Sequence, residues 1–364
     1  MKFSRTLIVA GVFFAISSVG AQQTPSPEQP APPSPQSQAQ PPRPSSPEAG
    51  QPSSPGQSQP PDQSTIKVTT GLVHLVVTVA DKKHNFITDL GRDEFKVIEN
   101  GSPQEIRFFG SETDLPLRIG LLLDTSNSIR PRLEFEKDAA IDFLNRVIRR
   151  NKDQAFLMTF DNEPEVIQDY TEDLSRLTSA IRDQRAGGGT ALNDAIFVAS
   201  AKLSHAPLPA SPDTEIRRVI VVISDGNDNL SDHALSDALE TAIRAEASVY
   251  TISTNTDWLS LDTGSAPKKY AKDDGDKILQ QFADESGGRA FFPYRADDLA
   301  ESFTDIGTEL RSQYFIAYSP ANSTADGRYR KIDVQTVRKG LVVRTRKGYY
   351  AVPSPVDSSG SRKN

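Results

Sequence analysis

Asp124, Ser126 and Ser128 stand at alternate positions directly after the apolar run Ile119-Gly120-Leu121-Leu122-Leu123. One carboxylate and two hydroxyls on that spacing form a set of oxygen donors, which suits a hard divalent cation such as Mg²⁺ and not a zinc or haem centre. Two distant segments carry matching chemistry. Gly187-Gly188-Gly189-Thr190 precedes a helical pattern, and Ser224-Asp225-Gly226 follows the apolar run Val219 to Ile223. Ligands of an open α/β sheet bind outside the carboxyl ends of its strands. Asp124 and Asp225 both fall at such ends, and Thr190 falls at a loop-to-helix junction that can share the same edge. Each piece alone has an ordinary role, as a helix cap for Asp124 or Thr190 and as a turn for Asp225-Gly226. Only their convergence would make a site.

The elements needed to bring them together are legible as alternating strands and helices. Arg118 to Leu123 is the first strand. Arg132 to Arg150 follows as a helix, with Phe135, Ala139, Phe143 and Val147 at helical spacing. Ala155 to Phe160 is a strand and Glu165 to Gln168 an edge strand, with helices over Leu174 to Gln184 and Ala191 to Leu203. Val219 to Ile223 is a fully apolar strand, Ala234 to Ala247 a helix and Val249 to Ile252 a strand. Lys277 to Asp284 is a helix, Ala290 to Phe292 a strand and Asp297 to Arg311 a last amphipathic helix. Repeated β-α-β order with continuously apolar strands implies an α/β fold, a doubly wound and mostly parallel sheet covered on both faces.

β pattern flanks this block. Val73, Leu75, Val77 and Val79 alternate as a half-buried strand, and Phe95 to Ile98 and Ile106 to Phe109 sit around an Asn100-Gly101 turn. Tyr314 to Tyr318, Tyr329 to Thr336 and Leu341 to Thr345 read as strands on the other side, with turns at Asp326-Gly327 and Lys339-Gly340. Each flank has too few strands to stand alone. The expected organisation is therefore an accessory antiparallel β domain in which 312–352 pairs with 65–112, and an α/β domain over 115–311 between them.

The block from about Pro116 to Arg311 resembles a von Willebrand factor type A domain. Asp124-x-Ser126-x-Ser128, Thr190 and Asp225 match the metal-ion-dependent adhesion site of that family in residue type, order and setting. The resemblance implies a site in which the hydroxyls of Ser126 and Ser128 hold the ion directly. Thr190, Asp124 and Asp225 then act directly or through water. Two carboxylates leave the site near neutral with a divalent ion, so the cation stays a good acceptor for a carboxylate from a partner. Mg²⁺ is the expected ion, with Mn²⁺ or Ca²⁺ as alternatives, and the expected partner is a protein or peptide with an exposed Asp or Glu. The wider sequence is similar to a family of exported bacterial proteins described mainly from acidobacteria. The shared segments are Asp93-Glu94-Phe95-Lys96-Val97 and Arg346-Lys347-Gly348-Tyr349-Tyr350. That similarity brings an architecture and no established activity.

Lys2, Arg5, the apolar stretch Leu7 to Ile16 and Val19-Gly20-Ala21 read as a secretory signal over 1–21. The expected location is secreted or periplasmic, with no membrane span after cleavage. Residues 22–64 contain no aromatic residue and no Leu, Ile or Val, and they read as an extended Pro/Ser/Gln-rich disordered linker. Residues 353–364 read as a disordered tail. The chain has no Cys, which excludes disulfide staples, thiolate zinc sites, a Cys nucleophile and lipoprotein attachment. The net charge of −7 falls to −9 once Lys2 and Arg5 leave with the signal, a poor match for nucleic acid.

Enzyme signatures are missing. There is no G-x-x-x-x-G-K-[ST] loop and no G-x-S-x-G elbow, and His74, His84, His205 and His233 are not at zinc-ligand spacing. A metal-assisted hydrolase would need a base near the ion, and no residue stands out. The sequence thus points to a binding module and not an enzyme. A structural component of the envelope, with the metal site secondary, is the alternative. Two further features stay open. Asp228 and Asp232 could tune the site or hold a second cation, with Asp232 as a helix cap the plainer role. The loop Thr254 to Asp276, with the lone Trp258, is either a partner contact or a surface insertion.

Overall fold

The computed structural model describes residues 71–111, 115–209, 215–255, 272–293 and 296–351. The expected signal, linker and tail lie outside the described residues, as do Trp258 and most of its loop. Four strands come first: β1 (Val73–Ala80), β2 (Phe95–Glu99), β3 (Ser102–Gln104) and β4 (Ile106–Gly110). Asn100 and Gly101 both take positive φ, 48° and 84°, which is the turn an Asn-Gly pair favours between β2 and β3.

The α/β block follows as β5 (Leu117–Asp124), α1 (Leu133–Val147), β6 (Gln154–Phe160), β7 (Pro164–Thr171), α2 (Leu174–Arg182) and α3 (Leu192–Ser204). It continues with β8 (Arg217–Ser224), α4 (Leu235–Arg244), β9 (Ala247–Ser253), α5 (Asp274–Ser286), β10 (Ala290–Phe291) and α6 (Ala296–Glu309). The six strands form one sheet in the order β10-β9-β8-β5-β6-β7, parallel throughout except for β7 at the edge. The fold is therefore the mixed α/β architecture that the apolar strands imply.

Every residue of β5 is buried, because helices cover both faces. Leu117, Ile119, Leu121 and Leu123 face a core shared with α1, α2 and α6. Leu122 faces the opposite core, shared with α3, α4 and α5. Each fully buried Leu or Ile contributes about 1.5–3 kcal/mol relative to exposure. The chain leaves β5 toward β6 on one side and later returns to place β8 on the other. β5 and β8 thus flank a topological switch point, where an open α/β sheet forms its crevice.

Three expectations need correction. The helix expected over Ala234 to Ala247 stops at Arg244, and Ala247 already belongs to β9. Glu246 takes φ 53° and turns the chain there. Phe135, expected on the buried face of α1, is 36% exposed, and Glu136 is turned inward instead. A strand not anticipated, β14 (Gly348–Tyr350), follows β11 (Gln313–Tyr318), β12 (Tyr329–Thr336) and β13 (Val342–Arg344).

The flanking strands form two four-stranded sheets, β13-β1-β11-β4 and β14-β12-β2-β3. Each sheet takes strands from both sides of the α/β block: β1 pairs with β11, and β2 with β12, antiparallel in both cases. Their shared core holds Leu75, Val77, Phe95, Val97, Tyr314, Ile316, Ile332 and Val334. The sheets meet the α/β block near the amino ends of its parallel strands. Arg346, between β13 and β14, donates to Glu246 Oε1, just before β9, at 3.0 Å, and Gln313 of β11 donates to Tyr250 Oη at 3.1 Å. Asp153 braces the same edge. Its fully buried carboxylate accepts Leu117 N at 2.8 Å, Arg149 Nε at 2.8 Å and Arg311 Nη2 at 2.8 Å.

Candidate metal centre

The opposite edge, at the carboxyl ends of β5 and β8, carries the candidate residues. Leu123 and Ile223 are register partners, so Asp124 and Ser224 end neighbouring strands together. Asp124 is fully buried and both its oxygens are engaged. Oδ1 accepts Ser126 N at 2.8 Å and Oδ2 accepts Ser224 Oγ at 2.6 Å. The first bond folds the loop after β5 back on itself, as Asp side chains do in turns. It brings Ser126 Oγ within 2.9 Å of Ser128 Oγ. Ser126 is buried and Ser128 exposed, so this pair of hydroxyls runs from the interior to the rim.

Hydrogen bonds join the three loops pairwise. Gly187 N donates to Thr125 O at 2.7 Å, and Asn127 Nδ2 donates to Gly188 O at 3.0 Å, tying the second loop to the first. Thr190 N donates to Asn229 Oδ1 at 2.9 Å, while Asn229 N donates back to Thr190 O at 3.0 Å, tying the second to the third. The Ser224–Asp124 bond closes the circuit. Thr190 and Asp225 are both buried. Asp225 Oδ1 accepts Asn227 N at 3.0 Å. Its backbone is held from behind by two segments: Asn255, just past β9, donates Nδ2 to Asp225 O at 2.7 Å, and α5 packs so closely that a Cβ on Gly226 would lie 2.3 Å from Gly275 O.

The electrostatics follow from burial. Loss of solvent pushes the Asp124 carboxyl up to about 6, against the pull of the Ser224 and Ser126 hydrogen bonds, and the charge of Asp225 pushes it further. Negative charge is therefore held where it is poorly solvated. Among the described residues no three His, Cys, Asp or Glu side chains gather closely enough to hold a metal, so any cation here would depend on the hydroxyls.

Asp228 and Asp232 part company. Asp228 Oδ2 accepts Asn193 N at 2.8 Å and Ser231 Oγ at 2.6 Å, which spends the carboxylate on the start of α3. Asp232 does not cap α4. The N-cap is Ala234, whose N–H is taken by Asp237 Oδ2 at 3.1 Å. Sequence reasoning assigned no role to Ser224 or Asn229. Both are common residue types, and only the pairing of β5 with β8 and the return of the loop to Thr190 give them one.

The family model for the von Willebrand factor type A domain matches residues 119–227. Among solved structures, an aerotolerance-related membrane protein from Bacteroides fragilis, in a form with multiple mutations to serine, is similar at 18% identity. The match covers 53% of this chain and 98% of that one, with a TM-score of 0.41. A von Willebrand factor type A protein from Catenulispora acidiphila is similar at 12% identity over 79% of this chain and 75% of that one, with a TM-score of 0.42. Proximal thread matrix protein 1 from the mussel byssus, with a zinc-occupied MIDAS motif, is similar at 17% identity over 58% of this chain and 48% of that one, with a TM-score of 0.40. No curated protein matches the sequence.

Proposed function

From the premise that this chain is a von Willebrand factor type A domain protein, we propose that it is an exported module that captures an acidic group of a partner protein through a divalent cation. Domains of this family can bind such an ion and commonly mediate protein interaction. The ion is held by Asp124, Ser126, Ser128, Thr190 and Asp225. The observation that carries this reading is the 2.9 Å separation of the Ser126 and Ser128 hydroxyl oxygens beside a buried carboxylate. Neighbouring corners of an octahedron with Mg–O distances of about 2.0–2.1 Å lie roughly 2.9 Å apart, whereas the larger Ca²⁺ spreads its ligands further. The donor set therefore suits Mg²⁺, and Mn²⁺ shares its preference for oxygen.

The exposed rim at Ser128 supports capture of a partner carboxylate in place of an ion-bound water. In the same reading the two β sheets form one accessory domain around the α/β domain, with 1–21 a signal peptide and 22–64 a spacer. Chemistry on a substrate is not part of the proposal.

Calorimetric titration tests the ligand assignment. Asp124→Ala or Asp225→Ala should abolish Mg²⁺ binding and leave the far-UV spectrum near that of the parent. Either variant binding Mg²⁺ as tightly as the parent would show the assignment to be wrong. Pull-down from the native envelope with and without chelator then tests partner capture, which should vanish with chelator and return with Mg²⁺.

A further inference from the structure

Glu136 is fully buried in α1, and among the described residues neither of its carboxyl oxygens has a hydrogen-bond partner. A buried polar group in that state is expensive, and it calls for an explanation in a native structure. The neighbouring inward positions Ala139 and Ala140 show what a helix face packed on a sheet ordinarily carries. The charges that act on Glu136 come from its own helix and from the site. Arg132, one turn earlier, favours the ionised form, while Asp124 and Asp225, at the ends of β5 and β8, oppose it. Burial is the largest influence and pushes the group up to about 8. Glu136 sits in the first turn of α1, the helix entered directly from the loop that carries Asp124, Ser126 and Ser128, and Leu123, Ile129 and Leu133 pack in one core cluster between the two. Glu136 does not complete a three-carboxylate cage with Asp124 and Asp225.

We propose that Glu136 is an outer carboxyl of the same cation site, meeting the ion through a water of its coordination sphere and not as a direct ligand. Mg²⁺ gives up its waters reluctantly and keeps several when bound, and such a water offers the hydrogen that an unsatisfied buried oxygen lacks. Groups in this outer position orient ligands and water, and their loss typically costs about 10–100-fold in metal affinity. The inference rests on the reading that Asp124, Asp225 and the three hydroxyls bind a cation.

The test compares the full chain with Glu136→Met and Asp225→Ala, by Mg²⁺ calorimetry and by thermal melting in chelator. Glu136→Met is expected to bind Mg²⁺ about 10–100-fold more weakly. Without the ion it should melt at or above the parent temperature, because an apolar side chain of similar length replaces an unpaired buried carboxyl. A residue with only a structural role would give the reverse, a lower melting temperature and unchanged affinity. Parental affinity in Glu136→Met alongside lost binding in Asp225→Ala overturns the role of Glu136 and leaves the site standing. A parent chain that does not bind Mg²⁺ overturns both. If Glu136→Met does not fold, Glu136→Ala carries the same comparison with the same expected loss.

Discussion

At the scale of single residues the site is a problem of buried charge. Burial pushes the Asp124 carboxyl up to about 6 from its ordinary 3.8. A raised value means that folding favours the protonated form. The resulting stability is complete below the unfolded value and disappears as pH rises through the folded one. Glu136, raised from 4.5 to about 8, acts in the same direction. On the proposed reading, a dication bound there would reverse both effects by favouring the ionised forms. The melting temperature in chelator should therefore fall between about pH 4 and about pH 8, and saturating Mg²⁺ should remove most of the fall. Asp124 alone accounts for on the order of 3 kcal/mol of that gap. A gap between the Mg²⁺ and chelator curves that narrows with rising pH would contradict this account. Asp124, Ser126, Ser128, Thr190 and Asp225 were legible as candidates only because three separate segments, each ordinary as a cap or a turn on its own, together match one family pattern. Glu136 was not, because a Glu inside an amphipathic helix reads as a solvated charge.

At the scale of elements, what reads well from sequence is the strand, and what reads poorly is the rotation of a helix and the path of a loop. β5 and β8 announce themselves as apolar runs with no polar face, and their pairing sets the crevice. α1 was readable as a helix but not in its rotation. Apolar residues surround the Phe135, Ala139, Phe143 and Val147 series, so period alone does not decide which face turns inward. The backbone behind Asp225 was also illegible, since it depends on α5 arriving from far along the chain. Gly226 has φ 78°, and a Cβ there would meet Gly275 O at 2.3 Å. Gly226→Ala should cost about 1–3 kcal/mol in strain, displace Asp225 and weaken Mg²⁺ binding at least about tenfold, by analogy with the loss of an orienting outer group. Gly287→Ala is the control. It has φ 85° and an equally close backbone contact, 2.4 Å to Arg346 N, but lies at the opposite end of α5. It should destabilise comparably and leave Mg²⁺ affinity unchanged. Equal Mg²⁺ affinity in the two variants would show that the α5 contact does not position Asp225.

At the scale of the molecule, the α/β block presents its candidate site at one edge and is joined to the two β sheets at the other. The join is polar and buried. Glu309, at the end of α6, accepts Thr78 Oγ1 of β1 at 3.0 Å and Tyr250 Oη of β9 at 3.0 Å, and it pairs with Arg344 of β13. Gln313 of β11 donates to Thr78 Oγ1 at 2.8 Å and extends the network. Glu309 is fully buried, so its removal leaves the Arg344 charge and two hydroxyls without their acceptor. Breaking a buried pair from one side typically costs about 3–5 kcal/mol. That cost should fall on the join and not on either core, since the α/β cores and the β-sheet core are made of separate sets of residues. Glu309→Ala is therefore expected to split a single calorimetric unfolding transition into two, with the β sheets melting first. Mg²⁺ affinity should stay at the parental level, because the site lies at the far edge of the sheet. A single transition at the parental temperature would show that the network does not couple the two parts. A single transition with Mg²⁺ affinity lost would mean that the β sheets hold the site together from the opposite edge, and the separation of join and site would have to be abandoned.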